Sequence, residues 1–401
     1  MARILIIQSN MKHYRVPFFT GLHAALQGDG INLVVAYSPP NRIHAARRDE
    51  ADLPASFGLK VRGRWIFDRF VYQNLWREVW RADLVIVGPE SKFMINPALL
   101  AFSALHLKRV AFWGLGPNMH PDRSELSERI KEKLVGRVDW WFAYTPSVKE
   151  YVQRHGVPAD RITNVQNATD TVKLRSLMSS VGQDEAAIAK ERLTGIRDSK
   201  IGIYCGLIAG IKAIPLLLEA ARRAKQRSPE FHLVIVGEGP DRQWLEEAVR
   251  NEPWIHYMGS KYGRESALLY KIADVFLLAG TAGLAIVDSF AAGLPMIATE
   301  LNTHPPEITY LRNGENSIVS AHNPADFGDA ITKLLTNPDL MEQLRQGAIA
   351  DGSKYTMEAM VQNFSEGIRQ CLRHYQIPRK SDVNLKPFSS STVSRVNLEG
   401  R

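Results

Sequence analysis

Short runs of branched and apolar residues, each followed by a helix-length stretch, recur along almost the whole chain. The first series lies at 4–8, 33–37, 84–88, 110–114, 140–143 and 162–165. The second lies at 201–206, 233–237, 255–258, 275–278, 296–299 and 317–319. The runs are continuous rather than alternating, as strands of a parallel sheet covered on both faces must be. One such series builds a doubly wound sheet, and two in succession predict an α/β protein with two Rossmann-like units.

The predicted organisation follows from these runs. Residues 1–170 form a first Rossmann-like domain and 171–355 a second, joined by a polar, mostly helical stretch with breaks at Gly182 and Gly195. Residues 340–355 and 356–375 read as helices. The tail 376–401 is Ser-, Asn- and Arg-rich without periodicity and is expected to be disordered and basic.

Composition removes several classes. With 45% apolar and 23% charged residues, the chain is neither fibrous nor disordered. No apolar stretch reaches the length of a membrane-crossing helix, and the apolar run at the N-terminus is too short for a secretory signal. Cys205 and Cys371 cannot make a disulfide framework or a zinc site, which fits a reducing compartment, expected to be the cytoplasm. The net charge of +8 is uneven. Residues 1–170 hold 23 Lys and Arg against 16 Asp and Glu, and residues 376–401 hold five against two. Such a field attracts anions, including phosphate and acidic lipid.

The segment 274–298 carries the strongest chemical signal. A strand gives way to the small-residue loop Gly280-Thr281-Ala282-Gly283, a helix is expected from Leu284 to Gly293, and Pro295 opens the next strand. Small residues let backbone approach a ligand, and a helix start offers free N–H groups that suit a diphosphate. Asp288, one turn in, is placed to accept hydrogen bonds from ribose hydroxyls. The competing reading is a plain helix entry with a solvated Asp.

This segment resembles the signature of glycosyltransferase family 4, of the two-domain GT-B fold. Asp288 matches the second acidic position of the family pattern, and Gly283-Leu284 match its glycine and the residue after it. The first acidic position falls on Gly280, a departure. Further segments follow in the family's order. Gly206 and Lys212 match the Gly-Arg-Leu…Lys stretch, with Leu207 in place of the Arg. Gly237-Glu238-Gly239-Pro240 matches the Gly-x-Gly-Pro turn, and Gly259-Ser260 the stretch whose backbone borders the base. His304–Ile308 and Asn313-Gly314 resemble the Pro-Glu-Ile…Gly run, and residues 164–170 the exit from the first domain. The resemblance implies two domains facing a cleft and a last helix crossing back to the first. It implies donor binding by Gly206, Lys212, Gly237, Glu238, Gly259, Ser260, Gly280, Thr281, Ala282, Gly283, Leu284 and Asp288.

The acceptor side is expected on the first domain, where loops leave the carboxyl ends of its strands. Asn10, Lys12, His13 and Arg15 follow the first strand, on the phosphate or acceptor side or as ordinary surface cations. A Gly-rich loop follows the strand 110–114, where relatives carry a His. Leu115 stands there, and His120 lies five residues on. His13 and His120 are the candidate catalytic residues. The aromatic and basic stretch 64–81 reads as a helix that packs Trp65, Phe70, Leu75 and Trp76 into the core. Its alternative is a helix lying on an anionic bilayer.

The resemblance implies a retaining transferase that moves a sugar from a nucleoside-diphosphate sugar to a glycan or lipid-linked acceptor. Bacterial surface polysaccharide synthesis, at the inner face of the cytoplasmic membrane, is the expected setting. No Asp-x-Asp pair occurs in the chain, so no metal and no further cofactor is expected. Peripheral contact with an anionic membrane is expected; nucleic acid is not. The alternatives are a non-catalytic sugar-nucleotide-binding protein and a nucleotide-sugar 2-epimerase of the same architecture. A nicotinamide dehydrogenase is disfavoured, because Ser9-Asn10-Met11 stands where a Gly-rich fingerprint would follow the first strand.

Overall fold

The computed structural model describes residues 1–45, 50–116 and 134–374. The first part contains β1 (Arg3–Ile7), β2 (Asn32–Tyr37), β3 (Gly58–Lys60), β4 (Gly63–Ile66), β5 (Phe70–Gln73), β6 (Leu84–Val87), β7 (Arg109–Gly114), β8 (Trp140–Ala143) and β9 (Ile162–Asn164). Seven of these form a parallel sheet ordered β3-β2-β1-β6-β7-β8-β9, and β4 and β5 form a separate antiparallel hairpin. The second part contains β10 (Lys200–Cys205), β11 (Phe231–Val236), β12 (Ile255–Tyr257), β13 (Val275–Leu278), β14 (Met296–Thr299) and β15 (Ser317–Ser320). They form a parallel sheet ordered β12-β11-β10-β13-β14-β15. The expectation of two doubly wound α/β sheets is met. Every residue of β7, β8, β11, β13 and β14 is buried, which is why their sequences are apolar without alternation.

The stretch 64–81 departs from its expected helix. It is helical only over Trp76–Arg81, while its first half is the β4–β5 hairpin. Of the four side chains expected in the core, Leu75 is fully buried, and Trp65, Phe70 and Trp76 are partly covered.

Between the sheets run helices Thr171–Ser179, capped by the Asp170 carboxylate, and Gln183–Thr194, which ends on Gly195 at φ 71°. The last described helix, Met357–His374, presents Met360, Phe364, Ile368 and Cys371 on one face. Phe364 stacks on Phe142 at 4.2 Å and meets Phe18 and Trp113 edge-on, so this helix packs on the first domain. Strand order reverses at β1/β6 and at β10/β13. Connections leave in opposite directions there and open a crevice at the carboxyl edge of each sheet.

Far from that edge, His232 on β11 and His256 on β12 stack with Nδ1 and Nε2 3.0 Å apart. Burial pushes His232 down to about 4, helped by Lys225 and His256, and burial and Lys225 push His256 down as well. The folded state thus holds both rings neutral while the unfolded chain takes up protons below its ordinary histidine pKa. The contribution of this pair to stability is complete above about pH 6.5 and is lost as pH falls toward 4. Thermal unfolding followed from pH 7.5 downward is expected to show a falling midpoint through this window, and a flatter profile in His232→Asn.

Candidate functional site

Three loops at the carboxyl edge of the second sheet are bound into one layer by backbone. Gly206 N–H donates to Val236 O and Ile208 N–H to Glu238 O, both at 2.9 Å. Asp241 N–H donates to Ile208 O at 3.1 Å, and Gly237 N–H to Gly259 O at 2.9 Å. Gly237 sits at φ 143°, and a Cβ there would lie 1.8 Å from Gly206 O. A Cβ at Gly239 would lie 2.1 Å from Ile208 O. The Gly-x-Gly turn is therefore required by loop-on-loop contact before any ligand is considered.

The loop 279–284 after β13 faces the loop after β10 across the strand-order reversal. Thr281 N–H donates to Ile211 O at 3.0 Å. Lys212 lies in the 3₁₀ turn Gly210–Lys212, and its Nζ donates to Thr281 O at 2.6 Å and to Ala282 O at 3.5 Å. A Cβ at Gly280 would sit 2.2–2.5 Å from the backbone of Lys212. This crowding is the local reason that no side chain stands where the family pattern has its first acid.

His304, which sequence reading left without a role, fixes this loop from behind. Its Nδ1 accepts from Ala282 N–H at 3.0 Å, which leaves Nε2 to donate to Thr299 O at 2.7 Å. Burial lowers its pKa, with a smaller push from Lys212. The ring is a neutral brace with a defined tautomer.

The helix after this loop runs Ala285–Ala291, shorter than expected. Asp288 on it is partly buried, and its Oδ1 accepts from Thr169 Oγ1 at 2.6 Å, a residue on the exit from the first domain. Burial pushes the Asp288 carboxyl up to about 6, and the Thr169 hydrogen bond offsets part of that rise. Glu238 is exposed and pairs with Arg242 at 2.9 Å. Gly259, at φ 63°, and Ser260 are half-buried beside that turn.

The first-domain candidates separate. Arg15 is buried, and faces neither the cleft as a phosphate- or acceptor-side cation nor the open surface. Its guanidinium donates to Asn167 Oδ1 at 3.0 Å and lies over Trp113, with Tyr14 and Tyr144 beside it. Asn167 Nδ2 in turn donates to Glu307 Oε1 at 2.6 Å on the second domain. Burial raises the Glu307 pKa, and Asn167 and Arg15 oppose the rise. Arg15 therefore joins the domains. Asn10 is buried at the end of β1, with an amide nitrogen that finds no partner among the described residues. Lys12 forms a backbone bridge with Glu50. His13 is exposed, and its ring meets Tyr262 of the second domain edge-on at 6.2 Å. Leu115 is partly exposed at the end of β7. His120 lies outside the described residues, as does the tail 376–401. Among the described residues no three His, Cys, Asp or Glu side chains gather as metal ligands.

Residues 199–337 match the family model described as glycosyl transferases group 1. A D-inositol 3-phosphate glycosyltransferase of Streptomyces bingchenggensis is 24% identical over 278 residues, 64% of this chain and 58% of that protein. An alpha-monoglucosyldiacylglycerol synthase of Acholeplasma laidlawii is 29% identical over 187 residues, 45% of this chain and 46% of that protein. The chain thus spans about half the length of these curated relatives. Among solved structures, Anabaena HepE in complex with UDP superposes with a TM-score of 0.68 at 13% identity, covering 92% of this chain and all of that one. A glycosyltransferase from Rickettsia africae gives 0.69 at 13% identity, covering 93% and 99%. Sheet order, loop layer and these likenesses agree: this chain has the GT-B fold, and its residues 199–337 are similar to the glycosyl transferases of group 1.

Proposed function

We propose that this protein transfers a sugar from a nucleoside-diphosphate sugar to an acceptor seated on the first domain. The observation that carries the reading is the contact of Lys212 with the 280–283 loop at the strand-order reversal of the second sheet, with Asp288 on the helix that follows the loop. An ammonium turns about its stem, so phosphate oxygens compete with the Thr281 and Ala282 carbonyls for Lys212. Held there, the cation stabilises the diphosphate as the glycosidic bond breaks, with no Asp-x-Asp pair to hold a metal. Asp288 accepts from the ribose, and the layer of Gly237, Glu238, Gly259 and Ser260 borders the base. The related Anabaena structure was solved with UDP bound, which supports a uridine donor here. Retention of configuration, independence from metal, a lipid-linked or glycan acceptor and work at the inner face of the cytoplasmic membrane complete the proposal.

The test is release of UDP from a panel of UDP-sugars, with and without EDTA, in the presence of glycan and lipid-linked acceptors. Wild type is expected to turn over one donor equally in both conditions. Lys212→Ala is expected to lower kcat/KM by about 10- to 100-fold, the worth of a charged hydrogen bond, and Asp288→Ala chiefly to raise the donor KM. The crowding at Gly280 favours a second reading, a binding protein without transfer. Donor binding with no UDP release on any acceptor would select it.

A further inference from the structure

The β4–β5 hairpin carries apolar side chains on both of its faces. Strand register pairs Arg64 with Tyr72, Trp65 with Val71 and Ile66 with Phe70. The face that packs on the domain holds Trp65, the buried Val71 and the buried, polar Gln73, whose amide donates to Gln8 O and Ser38 Oγ. The opposite face holds Arg64, Ile66, Phe70 and Tyr72, with Ile66 and Tyr72 both 39% exposed. A bridge from Val71 to Phe93 brings Lys92 and Met94 alongside, and Met94 is 44% exposed. At the tip stands Phe67, 90% exposed and at φ 54°. Positive φ costs a bulky side chain about 1–2 kcal/mol, and leaving an aromatic ring in water forgoes its burial. Asn or Gly would carry neither cost.

We propose that this outward hairpin face is a docking surface for an anionic lipid bilayer. Its polar members are cations. Arg64 and Arg69 flank the tip, with the Arg69 guanidinium over the Phe70 ring at 5.4 Å, and Lys92 stands on the neighbouring segment. The acids nearby are Asp68, partly buried at the tip, and Glu90, 3.8 Å from Lys92. The surrounding residues 1–170 carry the chain's positive excess. An aromatic wedge ringed by Arg and Lys fits a headgroup layer, with the ring below and the guanidinium groups at the phosphates. A second copy fits badly, since a two-fold contact would lay this cationic patch against the same patch of the other copy.

The location gives the contact a use, and this clause rests on the reading under Proposed function. Trp65 Nε1 donates to Pro39 O at 3.0 Å and Asn41 Nδ2 to Asp68 O at 2.6 Å. Residues 38–41 follow β2 at the carboxyl edge of the first sheet, the edge from which His13 and Asn167 reach the second domain. A bilayer on the hairpin therefore lies beside the cleft and can supply a lipid-linked acceptor to it.

The test is flotation of the full chain with vesicles of phosphatidylcholine alone and of equal parts phosphatidylcholine and phosphatidylglycerol. Binding to the anionic vesicles only, weakened by salt, is expected. Phe67→Asn suits the tip backbone and is expected to cut that binding about tenfold or more, the worth of burying one aromatic ring. Arg64→Glu should do the same, with UDP affinity unchanged in both variants. UDP affinity also separates this proposal from the donor reading, since either can fail alone. No binding of wild type to anionic vesicles, or equal binding by Phe67→Asn, overturns the proposal. So does a wild-type dimer in sedimentation that Phe67→Asn abolishes, which would give the face to a second copy.

Discussion

Gly280→Glu, which restores the acid of the family pattern, is expected to lower donor binding by about 10- to 100-fold rather than to improve transfer. The new Cβ would start 2.2–2.5 Å from the backbone of Lys212. Backbone on both sides cannot yield as a flexible side chain can, so one loop must move. Such overpacking costs about 1–3 kcal/mol. The movement breaks the Lys212–Thr281 contact and the Thr281–Ile211 bond that hold the ammonium at the loop. Gly280→Ala carries the same first atom without the charge and is expected to show most of the loss. Calorimetric UDP affinities for the two variants check this. A Glu variant with unchanged affinity and raised kcat/KM would show that the loops part easily and that the glycine is a lost catalytic acid.

The second large effect concerns the domain junction. Arg15→Met is expected to destabilise the protein by about 3–5 kcal/mol, because it strips the cation from a buried network. Asn167 loses its donor, and buried Glu307 loses the positive charge that offsets its own. The methionine keeps apolar contact with Trp113 and Tyr144, so the loss reports charge and hydrogen bonding more than packing. Glu307 already has a raised pKa, and without Arg15 it rises further. A carboxyl of that kind contributes stability while it keeps its proton, and the contribution is lost as pH rises through the folded pKa. The deficit of Arg15→Met is therefore expected to grow from pH 5 to pH 8, and Glu307→Gln in the same chain should recover part of it. Denaturant unfolding of the two single variants and the double variant at both pH values measures the coupling. Additive effects would remove the network.

The pattern of what sequence reading reached has a physical basis. The twelve expected strands are all present because each carries an apolar run, unbroken where the strand is buried throughout, as in β6, β8 and β13. The hairpin was not legible. Its turn places Phe67 and Asp68 at φ 54° and 51°, a conformation usually announced by Asn-Gly, and Phe-Asp announces nothing. Its outward aromatic face also imitates a buried helix. The glycines of the 206, 237 and 280 loops drew attention as places for a ligand. Two of them, Gly237 and Gly280, are fixed first by neighbouring backbone, which only the folded chain brings near. Local sequence makes Arg15 look like a cleft cation, because its partners, Asn167 and Glu307, stand far along the chain. Nothing in the local sequence of His304 shows that its ring accepts from Ala282 N–H.

The central claim is that the second domain grips a diphosphate through Lys212 and loop backbone without a metal ion. Calorimetric titration of the full chain with UDP, GDP and ADP in EDTA tests it directly. The account predicts one-to-one binding of UDP, unchanged when magnesium replaces EDTA and at least about tenfold weaker in Lys212→Ala. Binding that requires the metal, or that Lys212→Ala leaves intact, would contradict it.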